Sequence, residues 1–186
     1  MTTASFVKES DGSFHYLPSE EVLWPVATDE LKESFWTNGF IIIRNLFSSG
    51  EVEKLVKAIE GCKEFWTANY PLLDLNDRQF FQSNWNEPGT DILGMAVRNA
   101  KFVGIAEQLL NRGELYLYNG KVIMKQPETG GALLWHQDYG YWYNNRAIFP
   151  DFITGVIALT KSDRENGGLE VIRGSHHCGR IEHHSH

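Results

Sequence analysis

The strongest chemical signal in the sequence is a histidine two residues before an aspartate, His136 and Asp138, in the run Trp135-His136-Gln137-Asp138. Side chains two residues apart on a β-strand point to the same face, so this imidazole and carboxylate would converge on one ion. One nitrogen and one oxygen donor suit the two-histidine, one-carboxylate triad that binds Fe(II) and leaves coordination positions open. The alternative is a surface histidine that lies beside an unrelated aspartate by chance.

An aromatic run follows this pair directly and consists of Tyr139, Tyr141, Trp142 and Tyr143. Rings concentrated beside a metal-binding pair would wall a substrate pocket or stack on a flat or cationic substrate. We therefore assign Tyr139, Tyr141 and Trp142 to a candidate substrate pocket. Packing in a core or at its rim is the alternative for each ring.

Composition argues against several other functions. The 186 residues carry 17 Lys plus Arg against 24 Asp plus Glu, a formal net charge of -7, so we expect no nucleic-acid or anionic-membrane partner. No apolar stretch is longer than four residues, the length of Phe40 to Ile43, which is far too short to cross a bilayer. Two cysteines in unrelated surroundings, Cys62 and Cys178, suit a reducing compartment and predict a cytoplasmic protein without disulfides. The sequence contains neither a dinucleotide-binding glycine motif nor a phosphate-binding loop.

The elements that must position these residues begin with a short helix and a strand. Residues 29–38 follow Thr28, a good N-cap, and stop at Gly39, which accepts the left-handed conformation of a helix C-cap. Phe40 to Ile43 is β-branched and apolar, which predicts a buried strand.

Two longer apolar stripes with helical spacing follow. A capping-box pattern at Ser48 and Glu51 predicts a helix from Glu51 to Trp66. A second stripe between Gly94 and Leu110 ends near Gly113, again with a glycine stop. We therefore predict that the first 113 residues are mainly helical.

The remaining third of the chain has β composition. Its short β-prone runs are Leu115 to Lys125, Phe152 to Thr160 and Leu169 to Arg173. Asn119-Gly120 fits either a two-residue hairpin or a bulge at Gly120 in one long strand. Helices followed by strands predict a single α+β domain over residues 1–186, built on a β-sandwich or jelly roll.

Several segments, in order, resemble the phytanoyl-CoA dioxygenase family of Fe(II)/2-oxoglutarate oxygenases. The matching segments are Asp29 to Ile43, Asn45 to Ile59, Lys121 to Gly130, Trp135 to Asp138, and Glu165 to His176. The last resembles the family's Asn-Gly-x-Leu … Gly-Ser-His signature. The order and spacing of these pieces are much more specific than any one motif.

The resemblance implies a double-stranded β-helix preceded by N-terminal helices, with His136 and Asp138 as two of the three metal ligands. It also implies Fe(II), 2-oxoglutarate and dioxygen, and hydroxylation of a C–H bond in a small-molecule substrate. By the same resemblance, Gln137 and Lys121 lie near the 2-oxoglutarate. The alternative for both residues is a side chain that faces the sheet or the solvent.

The family pattern continues beyond the Gly-Ser-His turn to a distal histidine, the third ligand, and to an arginine that pairs with 2-oxoglutarate. The chain ends ten residues after His176, so we expect C-terminal strands of the jelly roll to be missing. Three explanations stay open: a fragment of a longer chain, a short isoform without activity, or a third ligand from the cluster His183-His184-Ser185-His186. An inactive chain would act only as a metal- or ligand-binding β-sandwich.

Overall fold

The computed structural model describes residues 5–19, 24–67, 69–74, 76–85, 88–125 and 131–182. Its strands are β1 (Phe6–Lys8), β2 (Phe14–Tyr16), β3 (Ile43–Arg44), β4 (Tyr70–Leu73), β5 (Gln79–Trp85) and β6 (Gly120–Lys125). Its helices are α1 (Asp29–Asn38), α2 (Ser49–Gly61), α3 (Lys63–Thr67), α4 (Ile92–Val97), α5 (Ala100–Leu110) and α6 (Asp138–Asn144), with a 3-10 turn at Ser175–Cys178. The architecture is mixed, with two three-stranded sheets and surrounding helices.

The first sheet forms the main core together with α1 and α5. Strands β1 and β2 pair antiparallel, with Phe6 opposite Tyr16, and β3 joins β2 in parallel. The rings of Phe6, Phe14 and Tyr16 are buried against helix side chains. Leu31 of α1 and Leu109 of α5 belong to the same buried cluster.

Helix α1 has the predicted bounds and caps. The Thr28 hydroxyl accepts a hydrogen bond from the Leu31 N–H at 3.2 Å, and Gly39 ends the helix with φ of 83°. The predicted buried strand from Phe40 to Ile43 is wrong, because only Ile43–Arg44 joins a ladder and Ile42 is 52% exposed. The neighbouring β2 has only three residues, which leaves little backbone for a longer strand to pair with.

The predicted helix from Glu51 to Trp66 is interrupted. The capping box at Ser48 and Glu51 is confirmed, but Cys62 takes an extended conformation between α2 and α3. The second stripe is also divided, because Asn99 caps the start of α5 after α4 has ended. Asn111, rather than Gly113, adopts the left-handed conformation that ends α5.

The second sheet was not predicted for the first part of the chain. Strands β4, β5 and β6 form an antiparallel meander in which Phe80 lies opposite Lys125 and Asn84 opposite Lys121. The described residues among the first 113 therefore contain five strands besides their helices, and the prediction of a mainly helical region was wrong in this respect.

The predicted β region after Leu115 is only partly β. The strand starts at Gly120, so neither the hairpin nor the bulge predicted at Asn119-Gly120 forms. Residues 152–160 and 169–173 form no strand. Val156 is 65% exposed and Leu169 is 73% exposed, because no strand pairs with either segment in the described part of the chain. The described residues therefore show a mixed α+β fold without a double-stranded β-helix.

Candidate metal centre

His136 and Asp138 lie at the start of α6 and not in a strand, so the predicted local structure was wrong. His136 precedes the helix, Gln137 is its extended N-cap residue, and Asp138 is its first residue. The turn into the helix nevertheless brings the two side chains together. His136 Nε2 lies 3.4 Å from Asp138 Oδ1.

The His136 ring is oriented through its other nitrogen. Nδ1 lies 2.6 Å from the carbonyl oxygen of Leu134, and because a carbonyl only accepts, Nδ1 carries the hydrogen. The Tyr141 ring packs edge-to-face against the same imidazole, with 5.7 Å between the ring centroids. Nε2 is thereby directed toward Asp138 and available as a metal ligand.

The Asp138 carboxylate is also held by its second oxygen. Thr154 Oγ1 donates a hydrogen bond to Oδ2 at 2.7 Å, across 16 residues of sequence. The hydrogen bond with His136 lowers the pKa of Asp138 most, burial opposes this, and the Thr154 hydroxyl and the Lys121 charge lower the pKa further. The site thus favours an ionised carboxylate with Oδ1 on the side of the histidine.

The pKa of His136 is raised above its usual value. The main cause is the hydrogen bond with Asp138, which outweighs the opposing effect of burial. The Leu134 carbonyl raises the pKa further, whereas the positive charge of Lys121 lowers it. A cation at Nε2 would replace this proton and take over the interaction with Asp138.

Lys121 and Gln137 have different surroundings. Lys121 lies on β6, close enough for its charge to influence both His136 and Asp138. The Gln137 side-chain oxygen accepts a hydrogen bond from the Ile181 N–H at 2.8 Å. Their proximity to 2-oxoglutarate stays a prediction.

The aromatic run is distributed around α6. Tyr141 contacts the His136 ring, whereas Trp142 packs edge-to-face on Tyr118. The Tyr139 hydroxyl donates a hydrogen bond to the Ile148 carbonyl at 3.0 Å, and its ring contacts Tyr143. Of the three assigned to the substrate pocket, Tyr141 is therefore the one seen against the candidate ligand pair.

The donor pair fits two positions of a metal centre. Ligand atoms about 2.1 Å from one ion and at right angles to each other are about 3 Å apart, close to the 3.4 Å between Nε2 and Oδ1. No group of three or more His, Cys, Asp or Glu side chains that could hold a metal occurs among the described residues.

The other histidines do not complete the site within the described part of the chain. His176 Nε2 lies 2.8 Å from the Trp36 carbonyl oxygen, at the end of α1. A Cβ atom at Gly39 would overlap the His176 ring, so the Gly-Ser-His turn lies directly on the α1 C-cap. His183, His184 and His186 lie outside the described residues.

Sequence reasoning missed Thr154 and the Leu134 carbonyl. Thr154 is one polar residue in a β-prone run, and no local spacing connects it to Asp138. A backbone carbonyl has no sequence signal at all. Both are the outer partners that usually orient metal ligands.

Comparison with known proteins agrees with this chemistry. Residues 35–186 match the phytanoyl-CoA dioxygenase (PhyH) family. The chain belongs to that family, which confirms the resemblance of its motifs. No solved structure matches the chain significantly.

Curated relatives include enzymes with different named substrates. L-proline trans-4-hydroxylase of Streptomyces griseoviridis is 32% identical over 154 residues, which cover 82% of this chain and 57% of the relative. Ectoine dioxygenase of Bordetella parapertussis is 26% identical, over 77% of this chain and 48% of the relative. A probable alpha-ketoglutarate-dependent hypophosphite dioxygenase of Stutzerimonas stutzeri is 25% identical, over 79% of this chain and 53% of the relative. The chain spans about half the length of the curated relatives it matches.

No helix in the described part of the chain is both long and apolar enough to cross a bilayer.

Proposed function

We propose that this protein is an Fe(II)/2-oxoglutarate-dependent dioxygenase that hydroxylates a C–H bond of a small molecule. The observation that carries the proposal is the convergence of His136 Nε2 and Asp138 Oδ1 at 3.4 Å in a chain of this family. One histidine and one carboxylate supply two positions of the facial triad that leaves room for cosubstrate and dioxygen.

The protein's own contribution is to orient and charge these two donors. The Leu134 carbonyl keeps the hydrogen on Nδ1 of His136, and Thr154 holds Oδ2 of Asp138 so that Oδ1 faces the imidazole. Bound iron would supply the oxidation chemistry, with 2-oxoglutarate and dioxygen as cosubstrates. The third ligand and the 2-oxoglutarate-binding arginine correspond to the distal His and Arg of the family pattern, and neither is assigned among the described residues.

We assign Lys121 and Gln137 to the neighbourhood of 2-oxoglutarate. Lys121 is supported by its electrostatic influence on both ligands, since a lysine near the metal would attract a dicarboxylate. Gln137 stands between the ligands in sequence.

We propose a small polar substrate, bound beside Tyr139, Tyr141 and Trp142. Support comes from relatives named for proline and ectoine and from the contact of Tyr141 with the His136 ring. We further propose that residues 1–186 belong to a single oxygenase domain whose complete form is a jelly roll. The two free thiols, Cys62 and Cys178, favour a cytoplasmic location.

The test of cofactor binding is an anaerobic titration with Fe(II) and 2-oxoglutarate, followed by the visible charge-transfer band. We expect a band in the wild-type chain, and its loss in His136→Ala and in Asp138→Ala. His15→Ala, in the first sheet, is the control and should keep the band. A band of equal intensity in all variants would mean that neither His136 nor Asp138 is a metal ligand.

The third ligand is tested in the same assay. Replacing His183, His184 and His186 together by alanine should abolish the band only if the terminal cluster supplies the missing donor. An unchanged band would mean that a group outside this cluster supplies the third metal ligand.

Turnover is measured as succinate formed from 2-oxoglutarate in the presence of L-proline or ectoine. Succinate formation that depends on one substrate and on His136 supports a hydroxylase. A chain that gives the band but no succinate with any substrate acts as the alternative, a metal- or ligand-binding protein without turnover.

A further inference from the structure

Asp74, at the end of β4, is a carboxylate with an unusually complete set of donors. Its side chain is only 2% exposed. Oδ1 accepts hydrogen bonds from the backbone N–H groups of Asn76 at 2.8 Å and Arg78 at 2.9 Å. Oδ2 accepts a hydrogen bond from Arg78 Nε at 2.9 Å and forms an ion pair with Arg78 Nη2 at 2.8 Å. Oδ2 also accepts from the Ala132 N–H at 3.1 Å, which lies 58 residues away in the sequence.

A second contact fixes the same distant segment on the β4–β5 turn. The Gly131 N–H donates to the Gln79 carbonyl at 3.2 Å. A Cβ atom at Gly131 would lie 2.5 Å from the Arg78 carbonyl oxygen and 3.0 Å from the Phe80 ring. Gly131 and Ala132 are therefore held against the turn by hydrogen bonds on both residues and by close packing.

The segment held in this way leads directly to the metal-binding histidine. Leu134, two residues after Ala132, supplies the carbonyl that receives the Nδ1–H of His136. Burial does little to hold this segment, because Leu133, Leu134 and Trp135 are 42%, 40% and 62% exposed. The hydrogen bond from the Ala132 N–H to Asp74 and the contacts of Gly131 with the β4–β5 turn therefore hold the segment at this end.

We propose that Asp74 is a positioning residue for the metal site, acting through the Ala132 N–H to place the Leu134 carbonyl that orients His136. The part of this inference that concerns the metal rests on the proposed function. The part that concerns the orientation of the imidazole does not, because it can be measured in the metal-free chain. A competing interpretation is that Asp74 only stabilises the β4–β5 turn.

The test compares Asp74→Asn with Asp11→Asn in the full chain. Asn keeps the shape of the side chain but replaces one acceptor oxygen by a donor, which cannot accept from the surrounding N–H groups. Asp11 is the control, because in the β1–β2 turn it also accepts hydrogen bonds from a backbone N–H, that of Ser13, and from an arginine, Arg44.

The first measurement is the tautomer of His136, from nitrogen NMR of the metal-free protein at a pH where the ring is neutral. In the wild type the Leu134 carbonyl favours the Nδ1–H form and the Asp138 carboxylate favours the Nε2–H form, so the ratio of the two forms reports the strength of the Leu134 contact. In Asp74→Asn we expect the ratio of the Nδ1–H to the Nε2–H form to fall about fivefold, as for the loss of one typical hydrogen bond. Asp11→Asn should keep the wild-type ratio, although it also weakens a turn.

The second measurement is the affinity for Fe(II) in the presence of 2-oxoglutarate. We expect Asp74→Asn to weaken it about tenfold, the lower end for loss of an outer partner of a metal ligand. Gly131→Ala is a second variant that displaces the same segment while it keeps the Asp74 carboxylate, and it should act in the same direction. Gly104→Ala, in open space on α5, is its control.

The outcomes separate the two proposals. A wild-type tautomer ratio in both Asp74→Asn and Gly131→Ala, or an equal change in Asp11→Asn, overturns the positioning role. A changed ratio without iron binding in the wild type keeps the positioning role and overturns the proposed function instead.

Discussion

Each of the two candidate ligands is held by a partner on the atom that does not face the other. The Leu134 carbonyl receives Nδ1–H of His136, and Thr154 donates to Oδ2 of Asp138. The two remaining atoms, Nε2 and Oδ1, then point toward each other without rearrangement. Such preorganisation lowers the entropic cost of binding an ion, so the outer partners should matter for affinity.

The role of Thr154 is testable by removing its hydroxyl. Thr154→Val keeps the branched shape but leaves Oδ2 of Asp138 without this donor, so we expect Fe(II) affinity to fall about tenfold. Thr154→Ser keeps a hydroxyl and should retain most of the affinity. The measurement is the anaerobic titration with 2-oxoglutarate, and equal affinities in the Val and Ser variants would contradict the role of the hydroxyl.

The pKa of His136 should shift in opposite directions in two variants. Because the folded state favours the imidazolium, the pair with Asp138 stabilises the metal-free protein fully below about pH 6.5, and this stability is lost as the pH rises through the raised pKa. Asp138→Asn should therefore lower the pKa of His136. Lys121→Met should raise it, because the lysine charge disfavours the imidazolium. An NMR titration of the His136 ring protons measures both shifts, and shifts of the same sign would contradict the assignment of these partners.

At this scale the sequence predicted the pair but not its local geometry. Spacing by two placed His136 and Asp138 together through the alternation of a strand, whereas the structure brings them together at the start of α6. Thr154 could not be predicted, because its contact with Asp138 depends on how a distant segment packs.

At the scale of elements, the helix starts are determined by local hydrogen bonds. The Ser48 hydroxyl accepts from the Glu51 N–H, while the Glu51 carboxylate accepts from the Ser48 N–H at 2.7 Å. The same carboxylate pairs with Lys101 of α5 at 2.7 Å. One residue thus stabilises the start of α2 and connects that helix to another.

Loss of the cap should be measurable as a loss of stability. Ser48→Ala should lower the free energy of unfolding by about 1 kcal/mol, because the Glu51 N–H loses its acceptor. Ser49→Ala, at the next exposed position, should change it by less than about 0.5 kcal/mol. Urea unfolding of both variants checks the difference, and equal losses would argue against the capping box as the cause.

Helices were easier to predict than strands for a physical reason. The caps of α1 and α2 are formed by residues within a few positions of each other, so their signals are contiguous in the sequence. Strands β4 and β5 lack this advantage, because Pro71 lies within β4 and Phe80-Phe81-Gln82-Ser83 lacks apolar alternation. Their pairing with each other and with β6 supplies the structure that local sequence does not indicate.

At the scale of the whole molecule, the N-terminal hairpin is part of the core. Phe14 is 1% exposed and lies in one buried cluster with Leu31 of α1 and Leu109 of α5. Elements far apart in the sequence therefore depend on this ring. The first strand predicted from the sequence begins at Phe40, so this hairpin was not predicted.

Removal of the ring should destabilise the whole chain. Phe14→Ala should cost about 3–5 kcal/mol in free energy of unfolding through the lost burial and the cavity that remains. Val7→Ala, on the same hairpin but 47% exposed, is the control and should cost much less. Chemical denaturation followed by circular dichroism measures both, and a small loss for Phe14→Ala would mean that the hairpin contributes little to the core.

The predicted jelly roll shows that strand-like composition alone does not make a segment form a strand. Residues 152–160 and 169–173 have the β-branched content of strands, yet a strand forms only beside a partner, and the described residues supply none for them. Family membership, rather than periodicity, is what supports a jelly roll.

The contact between Gly39 and His176 has an evolutionary consequence. The His176 ring occupies the space that a side chain at residue 39 would need, and the left-handed backbone there already restricts which residues fit. A side chain at position 39 therefore requires the ring at position 176 to move or to be replaced by something smaller. Homologous sequences should show these two positions co-varying, with a residue larger than glycine at 39 confined to lineages that have lost the histidine.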